Sequence, residues 1–168
     1  ALAELFDLAD KAGLKIIFLV NVQPDVGTTE DHLVKLIKQF KDTPALMAYD
    51  LFNEPLYFDK KERDKKDVIA ITKRWNHLLK MYAPHQLFTI GLEGIREVFE
   101  WDPNILDVDF VSLHPYQYEP DQVRNEIYWY GKYITKPWML GETAISADND
   151  SVSYETQRKF AEVTLKQA

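Results

Sequence analysis

The sequence predicts an α/β fold, a parallel sheet whose strands alternate with helices in a single domain. Three observations carry that expectation. Short β-branched and aromatic runs recur along the chain, and between them apolar residues return at helical spacing. The residues that close the runs are polar and aromatic, at the strand ends where parallel sheets gather their chemistry. A length of 168 residues suits one domain with a sizeable core.

In chain order, Leu2, Leu5, Phe6, Leu8, Ala9 and Ala12 mark a helix, which Gly13 stops by offering a left-handed cap. Lys15 to Val22 is a continuous β-type run, as expected of a strand buried on both faces. Thr28-Thr29-Glu30-Asp31 supplies a hydroxyl cap for a helix using Leu33, Leu36, Ile37 and Phe40. Ala45 to Phe52 reads as strand and 63 to 82 as helix, on Val68, Ile71, Trp75, Leu78, Leu79 and Tyr82. Gln86 to Leu92 is strand, with a short helical piece at 94 to 100. Val108 to Leu113 is strand, 121 to 134 helix, Trp138 to Gly141 strand, and 154 to 167 the closing helix. The opening Ala-Leu-Ala-Glu-Leu-Phe begins in mid-helix pattern without an initiator Met, which suggests a piece of something longer.

Composition excludes several classes of function. Acids outnumber bases 27 to 20 and no arginine-rich run exists, so phosphate-driven nucleic-acid binding has no footprint. The basic residues from Lys60 to Lys66 alternate with Asp59, Glu62, Asp64 and Asp67 and read as a solvated helix face. Without cysteine there are no disulfides, thiol nucleophiles or Cys-bound zinc. The longest apolar run, Ile16 to Val20, is too short for a membrane span. His32, His77 and His85 lack ligand spacing, so no metal is expected, and neither a cofactor nor an obligate protein partner is indicated.

Five strands fit either a doubly wound sheet or most of an eight-stranded barrel, and the strand ends must decide. The second strand closes Asp50-Leu-Phe-Asn-Glu-Pro55 and the third Gly91-Leu-Glu-Gly94. The fourth closes Ser112-Leu-His-Pro-Tyr-Gln-Tyr118 and the fifth Leu140-Gly-Glu-Thr143. None is a phosphate cradle, which leaves a nucleotide-binding reading unsupported. Alternation puts Ser112, His114 and Tyr116 on one face and Val111 and Leu113 on the other. By the same rule Thr89, Gly91 and Glu93 face inward, as do Ala48, Asp50, Phe52 and Glu54.

Asn53-Glu54-Pro55, His114-Pro115-Tyr116 and Glu142 after Pro-Trp-Met-Leu-Gly resemble the cellulase-like family 5 of glycoside hydrolases. The resemblance covers nearly the whole chain. It implies a retaining (β/α)8 TIM barrel of clan A, incomplete here, with about five βα units and without the first two strands and the last. Residues 1–168 then form a partial catalytic domain. In that clan the two working carboxylates close barrel strands four and seven; Glu54 and Glu142 likewise stand three strands apart. By that match Glu54 is the acid/base and Glu142 the nucleophile. Asn53 contacts the sugar 2-hydroxyl, and His114 with Tyr116 orients Glu142. The family's Arg after strand two and Trp after strand eight have no counterpart segment, and Asn21-Val22-Gln23 stands where it has a histidine. A β-galactosidase-like or β-mannanase-like cousin is the alternative within the clan. The implied substrate is a β-glucan or β-mannan, and secretion, the periplasm or the cell surface follows from that substrate class.

The chemistry suits these residue types. A retaining glycosidase needs one carboxyl group that is protonated near neutral pH and one that stays ionised. Phe52, Pro55, Leu56 and Tyr57 surround Glu54 with apolar sequence, and His114 and Tyr116 are donors for Glu142. Asp50, one layer deeper, reads as a buried hydrogen-bond partner, and Glu93 is the rival carboxylate for a substrate or supporting role. Tyr57, Phe58, Trp101, Tyr116 and Tyr118 are candidates for stacking on a sugar face from loops above the strands. Trp75 and Trp129 are expected to pack inward from helices, and Trp138 to be structural. Two readings from other classes compete: a non-catalytic carbohydrate-binding barrel, which has no need of all five site residues, and a doubly wound regulatory or flavin-binding module, which needs an acidic pocket or phosphate loop.

Overall fold

The computed structural model describes residues 1–20, 26–54, 64–148 and 151–168. The order of elements is α1 (Leu2–Lys11), β1 (Ile16–Leu19), α2 (Val26–Phe40), β2 (Leu46–Asn53), α3 (Lys65–Tyr82) and β3 (Leu87–Glu93). Then come α4 (Gly94–Trp101), β4 (Val111–His114), α5 (Pro120–Tyr133), β5 (Trp138–Leu140) and α6 (Tyr154–Gln167). The five strands are all parallel and lie in sequence order, β1-β2-β3-β4-β5. A doubly wound sheet reverses its strand order at a switch point. No reversal occurs among these strands. The sheet is an arc of a (β/α) barrel.

Local chemistry sets the element boundaries. Gly13 follows α1 at φ +70°, where a side chain would be strained. The Asp64 carboxylate accepts from the Asp67 N–H at 3.0 Å and caps α3. Ser153 accepts from Thr156 N–H at 3.1 Å and caps α6, while Pro120 sits at the start of α5, where its missing N–H costs nothing. The cap expected at Thr28 and Thr29 is displaced, because α2 begins earlier, at Val26.

The core lies between the outer face of the sheet and the helices. Leu51, Ile90, Leu92, Val111 and Leu113 are buried there with Trp75, Leu79, Val98, Trp101 and Tyr130. Each such side chain contributes about 1.5–3 kcal/mol of burial free energy. Two packing expectations are corrected. β1 is half-buried rather than enclosed on both faces, since β2 is its one partner strand among the described residues. Trp129 is 54% exposed on the outer side of α5, against Tyr128, whereas Trp75 is fully buried.

The inner face is polar toward the carboxyl ends, but simple alternation fails on β2. Asp50 pairs with Thr89 and Asn53 with Gly91, so β2 carries one extra residue between the two pairings. Phe52 consequently joins the apolar cluster instead of sharing the face of Asp50. Glu54 then turns through a left-handed backbone at φ 50°.

Candidate active site

Each polar side chain at the sheet's carboxyl edge is placed by a strand end. Glu54 follows β2, His114 closes β4, and Glu142 stands two residues beyond β5. The left-handed backbone of Glu54 costs of order 1–3 kcal/mol for a non-glycine residue. Its N–H donates to Gly91 O at 3.0 Å, and its carboxylate is fixed by His114. Strain held in place this way is common where geometry serves function.

His114 is buried and used at both ring nitrogens. Nδ1 lies 2.9 Å from Glu54 Oε1, and Nε2 lies 3.2 Å from Ser112 Oγ. Two glycines make room for the ring. A Cβ on Gly91 would stand 2.7 Å from His114 Cε1, and one on Gly141 would overlap Ser112 Oγ and press on His114 Nε2 at 3.0 Å. Neither glycine stood out as a site residue in the sequence. The signal was present in Gly91-Leu-Glu93 and Gly141-Glu142: a small residue just before a strand-end acid permits close approach.

Glu142 is open to solvent and accepts from the Tyr116 hydroxyl at 2.8 Å. Partial burial, then the hydrogen bond and charge of Glu142, push the Tyr116 phenol up to about 12, which keeps it a donor. His114 Nδ1 is 3.9 Å from Glu142 Oε2, too long for a hydrogen bond. The pairing expected from sequence is therefore divided. Tyr116 holds Glu142, and His114 holds Glu54. One oxygen from each carboxylate and a ring nitrogen of His114 all lie within 4.8 Å of one another. This is the one group of three such donors within ligand range among the described residues. Two carboxylates this close are also what direct displacement at an anomeric carbon requires.

Asp50 lies one layer below. Its Oδ1 accepts from Gly91 N–H at 3.2 Å, and burial, reinforced by the Glu142 charge and opposed by that N–H, pushes it up to about 7. Asn53 ends β2 half-buried, opposite Gly91. Glu93 pairs in register with His114 but does not join the close group; its charge is felt at Tyr130 instead. Tyr118 is 89% exposed on the loop after β4. Trp101 is a correction. It ends α4 rather than standing on a loop, and it is buried in the core at 1% exposure, out of reach of any sugar. Tyr57 and Phe58 lie outside the described residues, as do Asn21, Val22 and Gln23.

Sequence reasoning missed a further buried carboxylate, Glu126 on α5. It accepts from Gln117 Nε2 and, at 2.6 Å, from the Tyr130 hydroxyl. Burial and the Glu126 hydrogen bond push the Tyr130 phenol well up. Its helical position among apolar neighbours gave no signal beyond an acid on the inward stripe with Val123 and Tyr130.

No family model and no curated relative matches the chain. Solved structures match it in fold. A Bacteroides uniformis beta-glucuronidase superposes with a TM-score of 0.79 at 20% identity, over 97% of this chain and 23% of its own. A beta-D-glucuronidase from Dictyoglomus thermophilum gives 0.68 at 18%, over 98% of this chain and 33% of its own. A GH113 beta-1,4-mannanase gives 0.66 at 14%, over 99% of this chain and 62% of its own. The chain thus spans less than two thirds of the length of each, and its fold is that of part of a TIM barrel.

Proposed function

We propose that this chain carries the two catalytic carboxylates of a retaining glycoside hydrolase that cleaves a β-linked glucan or mannan, akin to family 5 or a clan A cousin. The observation that carries the reading is the approach of Glu54 and Glu142, with one oxygen of each carboxylate within 4.8 Å of the other. Retaining pairs stand about 5–5.5 Å apart and inverting pairs about 6.5–9.5 Å, the larger gap making room for a water. The settings of the two groups also differ, which suits separate roles. Glu54 is buried against His114, while Glu142 is open and receives the Tyr116 hydroxyl.

In the first step a Glu142 oxygen attacks the anomeric carbon while Glu54 gives its proton to the departing glycosidic oxygen. The carbon–oxygen bond breaks as the glycosyl–Glu142 ester forms. In the second, ionised Glu54 takes a proton from water, whose oxygen displaces Glu142 and restores the original anomeric configuration. His114, itself held by Ser112, steadies Glu54 through both steps, and Asn53 is the residue we assign to the sugar 2-hydroxyl. No step calls for a cofactor, and a secreted, periplasmic or cell-surface setting suits a polysaccharide substrate.

Azide rescue tests the assignment. Glu142→Ala abolishes turnover, and added azide restores a glycosyl azide of inverted configuration. Glu54→Ala impairs substrates with poor leaving groups most, and azide partly rescues it with retention. Equal, modest losses on every substrate in both variants would remove the pair from the mechanism.

A further inference from the structure

The imidazole and the two carboxylates that meet at the carboxyl edge of the sheet are all metal-ligand types, and their spacing is that of an open coordination site. His114 Nδ1 faces both acids, 2.9 Å from Glu54 Oε1 and 3.9 Å from Glu142 Oε2. Ligand atoms around a tetrahedral zinc stand roughly 3.3 Å apart, since each bond is about 2.0–2.2 Å long. The two distances bracket that value. Glu54 and His114 are buried and fixed on each other, while the Glu142 side chain is 45% exposed and has room to close the remaining gap. Outer partners of the kind that orient metal ligands are already in place. Ser112 Oγ lies 3.2 Å from His114 Nε2, which leaves Nδ1 as the nitrogen turned to the acids. The Tyr116 hydroxyl donates to Glu142 Oε2 at 2.8 Å. Among the described residues, His114 is the ion-pair partner of both acids, and neither has a Lys or Arg to balance its charge.

We propose that Glu54, His114 and Glu142 bind a divalent transition-metal ion of the zinc type, and that its binding reversibly silences the carboxylate pair. The inference rests on the glycosidase reading for what the ion blocks, and adds to it a means of regulating the same site. The ion takes Nδ1 and one oxygen from each carboxylate, with water completing the shell. The proton held between Nδ1 and Glu54 Oε1 leaves to solvent, and Nε2–H donates to Ser112 Oγ. Glu54 then has no proton to give a leaving group, and the attacking oxygen of Glu142 is engaged. One nitrogen and two carboxylates suit zinc better than magnesium or calcium, which take six or more oxygen ligands. His32, His77 and His85 are exposed and join no such group among the described residues.

Calorimetric titration of the full chain with zinc, magnesium and calcium chlorides reads the site without calling on activity. One zinc should bind per chain, with magnesium and calcium about a hundred-fold weaker or worse. Glu54→Gln and Glu142→Gln should each weaken zinc by about a hundred-fold, and Ser112→Ala, which removes an outer partner, by about ten-fold. Glu142 is exposed, so its variant keeps the fold and decides the matter if the buried ones do not. His77→Ala and His85→Ala should leave binding unchanged. In kinetics with an aryl β-glycoside, zinc should raise KM without changing kcat, and a chelator should restore the original value. Absence of zinc binding, binding that Glu142→Gln leaves untouched, or binding lost with His77 or His85 overturns the site. Full turnover with zinc bound overturns the silencing. If the metal-free chain cleaves no glycoside while zinc binding still depends on Glu54 and Glu142, the metal site stands and the glycosidase reading falls.

Discussion

His114 shows how far one side chain's partners can depart from what its motif implies. The His-Pro-Tyr sequence resembles a pair serving one carboxylate, yet the ring sits 2.9 Å from Glu54 and 3.9 Å from Glu142. Sequence alternation placed His114 on the inner face correctly, but the distance to each acid depends on where β2 and β5 end in space. Tyr116 donates to Glu142, so Tyr116→Phe should lower kcat by about ten- to a thousand-fold with the fold intact. Steady-state kinetics beside a thermal melt checks this, and unchanged kcat would leave the phenol as packing. Asp50 supports a second prediction. Its folded value of about 7 stands above the ordinary 3.8, so the fold favours the protonated form. The stability this group contributes is complete below the ordinary carboxylate value and is lost as pH rises to about 7. Asp50→Asn keeps an acceptor for the Gly91 N–H and removes that slope. In urea melts the variant should gain on wild type by about 1 kcal/mol or more between pH 4 and pH 8. A wild type that gains on the variant over that range contradicts the account.

At the level of elements, helices and strands were legible wherever periodicity alone decides them. Val111 and Leu113 against Ser112 and His114 obey the two-residue rule, and the apolar stripe of α3 obeys the helical one. Where a second force competes, the pattern misleads. The extra residue between Asp50 and Asn53 sends Phe52 into the core, and Glu54 regains the mouth through its left-handed backbone. No local sequence rule announces either feature. Trp101 was misplaced for a similar reason: Gly94–Trp101 continues as helix to its last residue, which turns the indole inward. β3 and β5 meet β4 closely at Gly91 and Gly141, on either side of the His114 ring. Gly141→Ala places a Cβ over Ser112 Oγ and against His114 Nε2. It should cost about 1–3 kcal/mol of stability and lower kcat together, since the same contact orients His114 toward Glu54. A melt unchanged from wild type would show that β5 has room to move.

For the molecule as a whole, the curvature of the sheet is what makes the pair. Strands in one sheet stand about 4.8 Å apart, so a flat arrangement would hold the ends of β2 and β5 far apart. Sequential parallel order, with no switch point among the five strands, lets the sheet curl one way and brings one carboxylate oxygen of Glu54 and one of Glu142 within 4.8 Å. That closure was foreseeable from the strand-end acids but not from the alternation of elements, which a doubly wound sheet shares. The most direct test of the pair is to trap the covalent intermediate that the proposed mechanism calls for. The full chain is incubated with 2,4-dinitrophenyl 2-deoxy-2-fluoro-β-glucoside and the matching mannoside, then digested and mapped by mass spectrometry. The account predicts one fluoroglycosyl unit on the peptide carrying Glu142, lost in Glu142→Gln and retained in Tyr116→Phe at a slower labelling rate. Turnover of the parent glycosides with inverted products, or a label on any other carboxylate, would contradict it.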